Sequence, residues 1–220
     1  ILEGYNIHMG LRGPKPKGKV KIKWSPNFAY AIGLLATDGC LINNGRHIEI
    51  CSKDREQLHN FCQALGIKVK LTGKNKKGNR KYWRVQFGDV LFYQFLLGIG
   101  MIPKKSKTLA SILVPKKYFF DFFRGCFDGD GSFYSYWDPR WKSSFMFYTS
   151  LASSSPNFLG LIQEEIFVRL GIRGHISISK KRGCEQLRYA KKESLKILKS
   201  MYYSEPAIYL SRKRKKIEKA

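Results

Sequence analysis

Two aspartates, Asp38 and Asp130, stand in two copies of one nine-residue pattern. The copies span residues 31–39 and 123–131, and both read apolar-x-Gly-apolar-apolar-x-small-Asp-Gly. Two carboxylates that are brought together in a strongly basic protein are expected to bind Mg²⁺, which takes few protein carboxylates and fills its shell with water and phosphate oxygens. The alternative for a single copy is a helix end followed by a turn, but the repetition at equivalent places favours a paired metal site.

Each copy predicts a helix that packs against the other copy. Gly33 and Gly125 occupy the same position of the pattern and allow two backbones to approach closely. If the helices pack through these glycines, the two aspartates lie side by side at one end of the pair. Gly39 and Gly131 are expected to end the helices with a positive φ angle, and we count them with the aspartates in the predicted metal site.

The composition predicts a polyanionic partner. The chain of 220 residues has 41 Lys and Arg against 16 Asp and Glu, a net charge of +25, and it is 43% hydrophobic. A basic protein with enough apolar residues for a core is typical of nucleic-acid binding. The five cysteines and four histidines have no metal-ligand spacing. We therefore expect reduced thiols in a prokaryotic cytoplasm or an organelle matrix, with no membrane association and no signal peptide.

The order of predicted elements repeats. Each half reads αββαββα, and Leu-Gly-Ile follows the middle helix of both halves at 65–67 and 170–172. We predict an α+β fold of two half-domains, each with an antiparallel sheet. The predicted strands are 40–43, 47–52, 67–72, 82–87, 132–137, 143–151, 175–179 and 186–190. The predicted regions are a basic arm over 1–23, half-domains over 24–110 and 117–210, a linker over 111–116 and a basic tail over 211–220.

The two segments resemble the LAGLIDADG motif of homing endonucleases, in the form that carries two motifs in one chain as a pseudo-dimer. The resemblance covers residues 24–210. The first copy departs from the motif at Ala36 and Thr37, but both copies keep the eighth-position acid. The resemblance implies that Asp38 and Asp130 bind metal and catalyse cleavage. It also implies that Lys191 and Lys192 assist them.

The resemblance further implies an activity and its cofactors. The activity is cleavage of both strands of a long, asymmetric double-stranded DNA site, which leaves short 3′ overhangs. The cofactor is Mg²⁺, with Mn²⁺ as a substitute and Ca²⁺ bound without efficient cleavage. The enzyme acts as a monomer without a protein partner, and intron RNA is a second implied partner.

The outward residues of the predicted hairpins are candidates for contacts with DNA. The major groove presents a different donor and acceptor pattern for each base pair, while about half or more of all hydrogen bonds reach the backbone. The alternative for each residue is a solvated surface side chain. The predicted readers of base edges are Asn43, Asn44, Arg46, Arg80, Arg84, Gln86, Tyr134, Tyr136, Arg140, Ser177, Gln186 and Arg188, and the predicted phosphate contacts are Lys74, Lys76, Lys77, Lys142, Lys180 and Lys181.

Other functions remain open at this point. The same scaffold is compatible with an RNA maturase that aids intron splicing, or with a DNA-binding regulator that does not cleave. A basic structural nucleoprotein is a third alternative, but it has no need for paired acids.

Overall fold

The computed structural model describes residues 16, 18–76, 80–141, 143–179, 183–203 and 207–219, without the side chains at 74–76, 80, 81 and 179. The first half consists of α1 (Pro26–Asp38), β1 (Gly39–Leu41), β2 (His47–Ser52), α2 (Arg55–Leu65), β3 (Thr72–Lys76), β4 (Arg80–Gly88) and α3 (Val90–Gly98). The second half consists of α4 (Phe119–Asp130), β5 (Gly131–Trp137), β6 (Phe145–Ser153), α5 (Pro156–Leu170), β7 (His175–Ser179), β8 (Cys184–Tyr189) and α6 (Lys191–Met201). A last helix, α7, spans Ser211–Glu218.

The two halves have the same sheet topology. Four antiparallel strands are ordered β1-β2-β4-β3 in the first sheet and β5-β6-β8-β7 in the second. One face of each sheet is apolar and buried under the helices, while the other face is polar and accessible. The predicted α+β fold with a repeated αββαββα order is therefore confirmed. The buried strand residues include Leu41, Ile48, Ile50 and Val85 in the first sheet and Phe133, Phe147, Leu151 and Leu187 in the second.

Helices α1 and α4 pack against each other more extensively than any other two elements. Their contact passes through Gly33 and Gly125, as the sequence predicts. A Cβ added to Gly33 would lie 2.8 Å from the backbone nitrogen of Cys126 and 2.9 Å from Cα of Gly125, and it would also collide with the carbonyl oxygen of Phe122. A Cβ at Gly125 would lie 3.0 Å from Cα of Gly33. No side chain fits at either position without moving the helices apart.

Two local predictions are wrong. Gly39 and Gly131 have φ angles of −84° and −76°, so neither helix ends in the left-handed region. Glycine is needed there because an added Cβ would collide with the preceding turn of its own helix, at Leu35 and Phe127 respectively. The third strand begins at Thr72 and not at residue 67, since residues 67–71 pack apolar side chains on the core before pairing with β4 starts.

The chain before α1 and the chain after α6 are both attached to the body of the protein. Asp89 caps α3 and also accepts hydrogen bonds from the backbone nitrogens of Lys19 (2.6 Å) and Val20 (2.9 Å). At the other end, the side chain of Asn60 in α2 donates to the carbonyl oxygen of Tyr209 at 2.8 Å. Helix α7, which lies in the predicted basic tail, therefore continues a segment that is bound to the first half.

We expect Gly33→Ala to destabilise the protein by about 1–3 kcal/mol or more, because the methyl group overpacks the contact between α1 and α4. Gly160→Ala is the matched control. Gly160 lies inside α5 with nothing within 4 Å of an added Cβ, so alanine there should stabilise by about 0.5–1 kcal/mol. Urea unfolding of both variants measures the difference. Equal effects in the two variants would contradict the close glycine packing.

Candidate metal centre and nucleic-acid interface

The packing of α1 on α4 brings Asp38 and Asp130 together. Each is the last residue of its helix, and each is followed directly by the edge strand of its sheet. A Cβ at Gly129 would lie 3.1 Å from Oδ2 of Asp38, so the second motif helix ends against the first acid. The two carboxylates also interact through their charges. The structure therefore brings together the two acids that the sequence singles out.

The two carboxylates have different surroundings. Burial raises the pKa of Asp38, and this is opposed by a hydrogen bond from Nε2 of Gln57 at 2.5 Å and by the charges of Lys213 and Lys105. Burial and, to a smaller extent, the charge of Asp38 raise the pKa of Asp130 to about 6, against the opposing charges of Lys105 and Lys213. Asp38 is half-buried and Asp130 is more exposed, but partial loss of hydration disfavours the charged form of both carboxylates, so both would gain from a bound cation.

Two buried lysines that the sequence analysis missed lie beside the acids. Nζ of Lys105, in a 3₁₀ turn over Lys105–Lys107, donates to the carbonyl oxygen of Thr37 at 3.2 Å. Nζ of Lys213, in α7, donates to the carbonyl oxygens of Phe127 (2.5 Å), Gly129 (3.2 Å) and Gly131 (2.6 Å). Each lysine thus places a positive charge at the C-terminal end of the motif helix of its own half, where it is favourable.

The charges of the lysines and the acids are coupled. Burial lowers the pKa of Lys105 and lowers that of Lys213 to about 8, while the nearby aspartates raise both values. A signal for Lys213 was present in the sequence. It stands three residues after Leu210 and four before Ile217, the spacing of one helix face. Leu210 is buried, and Ile217 packs against the core while partly exposed.

The structure does not bring Lys191 to the acids, which corrects the sequence prediction for that residue, while the role of Lys192 stays a prediction. Nζ of Lys191 donates to the carbonyl oxygen of Phe145 at 2.9 Å. Phe145 pairs with Trp137, whereas Gly131, next to Asp130, pairs with Leu151. At about 3.3 Å per residue, these two places on β6 are roughly 20 Å apart. The order of elements suggested a lysine after the last strand, and β8 does end near the level of the acids, since Tyr189 pairs with Thr149. The side chain of Lys191, however, extends away from the acids to Phe145.

The donor set fits a divalent cation that keeps most of its water. Among the described residues, no group of three or more His, Cys, Asp or Glu side chains surrounds a potential metal position. Two carboxylates at the ends of adjoining helices suit Mg²⁺, which leaves the rest of its shell to water and phosphate. The carbonyl oxygen of Gly131 is already hydrogen-bonded to Lys213. The metal-binding roles of Gly39 and Gly131 stay predictions.

The open face of the first sheet carries basic and polar side chains. Arg46, Arg84 and Gln86 line a concavity of about 370 Å³ together with Lys19 and Lys70. Glu49 lies on the same face and pairs with Arg84 at 3.5 Å. These side chains are accessible, and the basic groups outnumber the acid. This face is suited to contacts with phosphates and base edges.

The open face of the second sheet is more aromatic. The ring centroids of Tyr134 and Tyr136 are 5.3 Å apart, and those of Tyr136 and Tyr148 are 6.4 Å apart. Beside them, the guanidinium of Arg140 binds both carboxylate oxygens of Asp138. The difference between the two faces is consistent with an asymmetric partner.

The other predicted DNA contacts fall into three groups. Asn43 is exposed, whereas Asn44 organises the first hairpin through hydrogen bonds to the backbone nitrogens of residues 46 and 47. Gln186 accepts a hydrogen bond from Arg188 at 3.2 Å and pairs with Ser177 on the neighbouring strand. Side chains outside the described part of the chain are those of Lys74, Lys76, Lys77, Arg80, Lys142, Lys180 and Lys181.

No family model and no curated protein sequence matches this chain. Solved structures do match it. Mesophilic variants of the homing endonuclease I-DmoI are 13% identical over 88% of this chain and 97% of theirs, with a TM-score of 0.57. The I-LtrWI LAGLIDADG homing endonuclease bound to target DNA is 10% identical over 88% of both chains, also with a TM-score of 0.57.

This chain has the LAGLIDADG fold. The fold also occurs in the N-terminal LAGLIDADG domain of DUF199/WhiA, which is 17% identical over 81% of this chain and 82% of that one, with a TM-score of 0.53. Identities this low establish the fold alone. The side chains at the ends of α1 and α4 must carry any conclusion about chemistry.

Two further observations concern the cysteines and the lengths of the helices. All five cysteines are free thiols. Within the described ranges, none of the helices is long and apolar enough to cross a bilayer.

We expect Asp130→Asn to stabilise the metal-free protein above pH 6 but not at pH 4. The folded pKa of about 6 lies above the ordinary value of 3.8, so the folded state loses stability as the pH rises between these values. One pKa unit is about 1.4 kcal/mol, and solvent screening of the exposed Asp130 reduces the effect, so a gain of about 1–2 kcal/mol follows at pH 8. Thermal unfolding of the variant and the wild-type protein at pH 4 and pH 8 tests this. A gain in stability that is the same at both pH values would contradict the prediction.

We expect Lys213→Met to destabilise the protein by at least about 2 kcal/mol, because three carbonyl oxygens lose a charged donor. Lys215→Met and Lys216→Met are controls, since both lysines lie exposed on the same helix. Urea unfolding measures all three variants. Equal stability of the three variants would show that Lys213 does not cap α4.

Proposed function

We propose that this protein is a site-specific endonuclease that hydrolyses both strands of a long, asymmetric double-stranded DNA target with divalent metal ions and leaves short 3′ overhangs. One observation carries the proposal: two carboxylates, of which Asp38 is half-buried and Asp130 is more exposed, lie together where the edge strands of both sheets begin. A protein that only binds DNA gains nothing from an acidic pair at the centre of a strongly basic molecule.

Asp38 and Asp130 would hold the ions, and Mg²⁺ is the cation that we propose. When bound, divalent ions polarise phosphodiester groups, lower the pKa of water and offset charge on the leaving oxygen. Related structures support divalent metals in general, since I-DmoI has been solved with DNA and Ca and with DNA and Mn. Mn²⁺ is expected to substitute for Mg²⁺, and Ca²⁺ is expected to bind without efficient cleavage.

The residues of this chain have separate tasks in that reaction. Asp38 and Asp130 each serve one strand. Lys105 and Lys213 add positive charge next to the acids, which favours the approach of a phosphate and the charge that develops on it during cleavage. Both ammonium groups also donate hydrogen bonds to helix carbonyls, so they are held in place before DNA arrives.

The open sheet faces would bind DNA on both sides of the acids. The first face offers Arg46, Arg84 and Gln86, which suit hydrogen bonds with base edges and phosphates. The second face offers tyrosines, which suit apolar contacts as well as hydrogen bonds. A single chain with two unlike faces needs no palindrome, and we propose that it acts as a monomer.

The experiment that tests this function is cleavage of a randomised double-stranded DNA library with Mg²⁺, followed by sequencing of the ends. Discrete ends with 3′ overhangs at one long asymmetric site support the proposal, and Ca²⁺ in place of Mg²⁺ is the control. Recovery of one bound DNA, or of an intron RNA, without any cut would point instead to a regulator or a maturase.

We expect Asp38→Asn and Asp130→Asn each to abolish double-strand cleavage on the recovered site while DNA binding persists. The physical reason is that an amide binds a divalent cation much less strongly than a carboxylate does. Gel-shift titrations measure binding and end-labelled DNA measures cleavage. Cleavage of both strands at the wild-type rate by either variant would refute the assignment of the acids.

A further inference from the structure

The strand register shows which residues of the two halves are equivalent. Gly39 pairs with Ile50 in the first sheet, and Gly131 pairs with Leu151 in the second. Each glycine follows a motif acid, so the paired residues on β2 and β6 correspond. Gln57 lies seven residues after Ile50, and Phe158 lies seven residues after Leu151. Gln57 in the first half therefore corresponds to Phe158 in the second. The next residues in both halves are leucines that are fully buried, which supports this alignment.

In the first half, a partly buried chain of hydrogen bonds holds the acid. Gln57 is 2% exposed, and its Nε2 donates to Oδ2 of Asp38 at 2.5 Å. Oγ of Ser52 donates to Oε1 of Gln57 at 2.8 Å and accepts from the backbone nitrogen of Asp54 at 3.0 Å. Because the backbone nitrogen can only donate, the single hydroxyl proton of Ser52 points at the amide oxygen. The amide nitrogen is thereby directed at Asp38.

The second half keeps the serine but lacks the amide. Oγ of Ser153 accepts from the backbone nitrogen of Ser155 at 3.1 Å, as Ser52 does in its own loop. Phe158 is 2% exposed and has no hydrogen-bonding group. Across the described ranges, no side chain or backbone nitrogen donates a hydrogen bond to the carboxylate of Asp130. The two acids therefore differ in how firmly they are oriented.

We propose that Gln57 is a positioning residue that makes the two acids inequivalent, so that Asp38 binds a divalent cation more tightly and the DNA strand that it serves is cut first. The hydrogen bond engages Oδ2 and leaves Oδ1 for the ion. Partners of this kind orient metal-binding side chains, and their removal typically costs about 10–100-fold in metal affinity or activity. The statement about strands rests on the proposed endonuclease function, but the statement about metal affinity does not.

The first test measures metal binding to the full chain without any cleavage. Mn²⁺ titrations followed by electron paramagnetic resonance compare Asp130→Asn, which keeps Asp38, with Asp38→Asn, which keeps Asp130. We expect Asp130→Asn to bind Mn²⁺ about tenfold or more tightly than Asp38→Asn. Adding Gln57→Met to Asp130→Asn should remove that advantage. Equal affinity in the two single variants would overturn the proposal.

The second test resolves the two strands of the DNA site recovered by library cleavage. With each strand end-labelled separately, the wild-type protein should accumulate DNA that is nicked in one strand. Gln57→Met should slow cleavage of the strand that is cut first by about 10–100-fold. It should leave the cleavage rate of the other strand within about twofold of the wild-type rate. Equal strand rates in the wild type, or equal slowing of both strands by Gln57→Met, would overturn the proposal.

Two further variants separate positioning from a general loss of structure. Gln63→Met changes an exposed amide of the same helix and should change neither strand rate. Ser52→Ala keeps Gln57 but removes the hydroxyl that orients it, and should slow the same strand as Gln57→Met. Slower cleavage of both strands by Ser52→Ala would contradict the role of Ser52 in orienting Gln57 towards Asp38.

The metal-binding and cleavage measurements test the role of Gln57 and the endonuclease proposal separately. Unequal Mn²⁺ affinity with no cut in any DNA would refute the endonuclease and leave the role of Gln57 intact. Cleavage with equal Mn²⁺ affinity and equal strand rates would support the endonuclease and refute the role of Gln57.

Discussion

The close contact between α1 and α4 is the constraint on which the rest of the structure depends. Gly33 and Gly125 let the two backbones touch, so the helices end at the same level and their terminal acids meet. The edge strands start directly after the acids, and both sheets are therefore placed relative to the same point. A larger residue at either glycine would separate the helices and with them the carboxylates, which links a packing requirement to the chemistry.

Electrostatic compensation is the second requirement of this arrangement. Two carboxylates held close together repel each other, and partial loss of hydration already disfavours their charged forms. Lys105 and Lys213 offset this repulsion from opposite halves, and the charges of the acids in turn oppose the lowering of the lysine pKa values by burial. A basic protein with a small acidic centre results, which is the charge distribution that suits an ion between protein and phosphate.

The C-terminal segment joins the two requirements. It is bound to α2 through Asn60, and Leu210 donates its backbone N–H to the buried carboxylate of Asp128 at 2.8 Å. Tyr30 of α1 donates to the same oxygen at 2.8 Å, so this carboxylate connects both motif helices to the end of the chain. Ala36 holds the equivalent motif position in the first half and has no such group. The pseudo-symmetry of the backbone thus supports two halves with different polar interiors.

The sequence by itself determined the repeated order of elements, the glycine contact and the pair of acids, because these depend on local patterns and on the duplication of one motif.

The packing of residues distant in the chain decided the rest. Lys105 and Lys213 reach the acids from segments that follow the last helix of each half, and Gln57 reaches Asp38 from the next helix. Lys191 is equally suitable in sequence order, but its Nζ binds the carbonyl oxygen of Phe145, at the end of β6 away from the acids. Residues 67–71 have the apolar and polar alternation of a strand. Their apolar side chains pack on the core, however, and pairing with β4 begins only at Thr72. Such choices are made by competition among long-range contacts, which a local pattern does not contain.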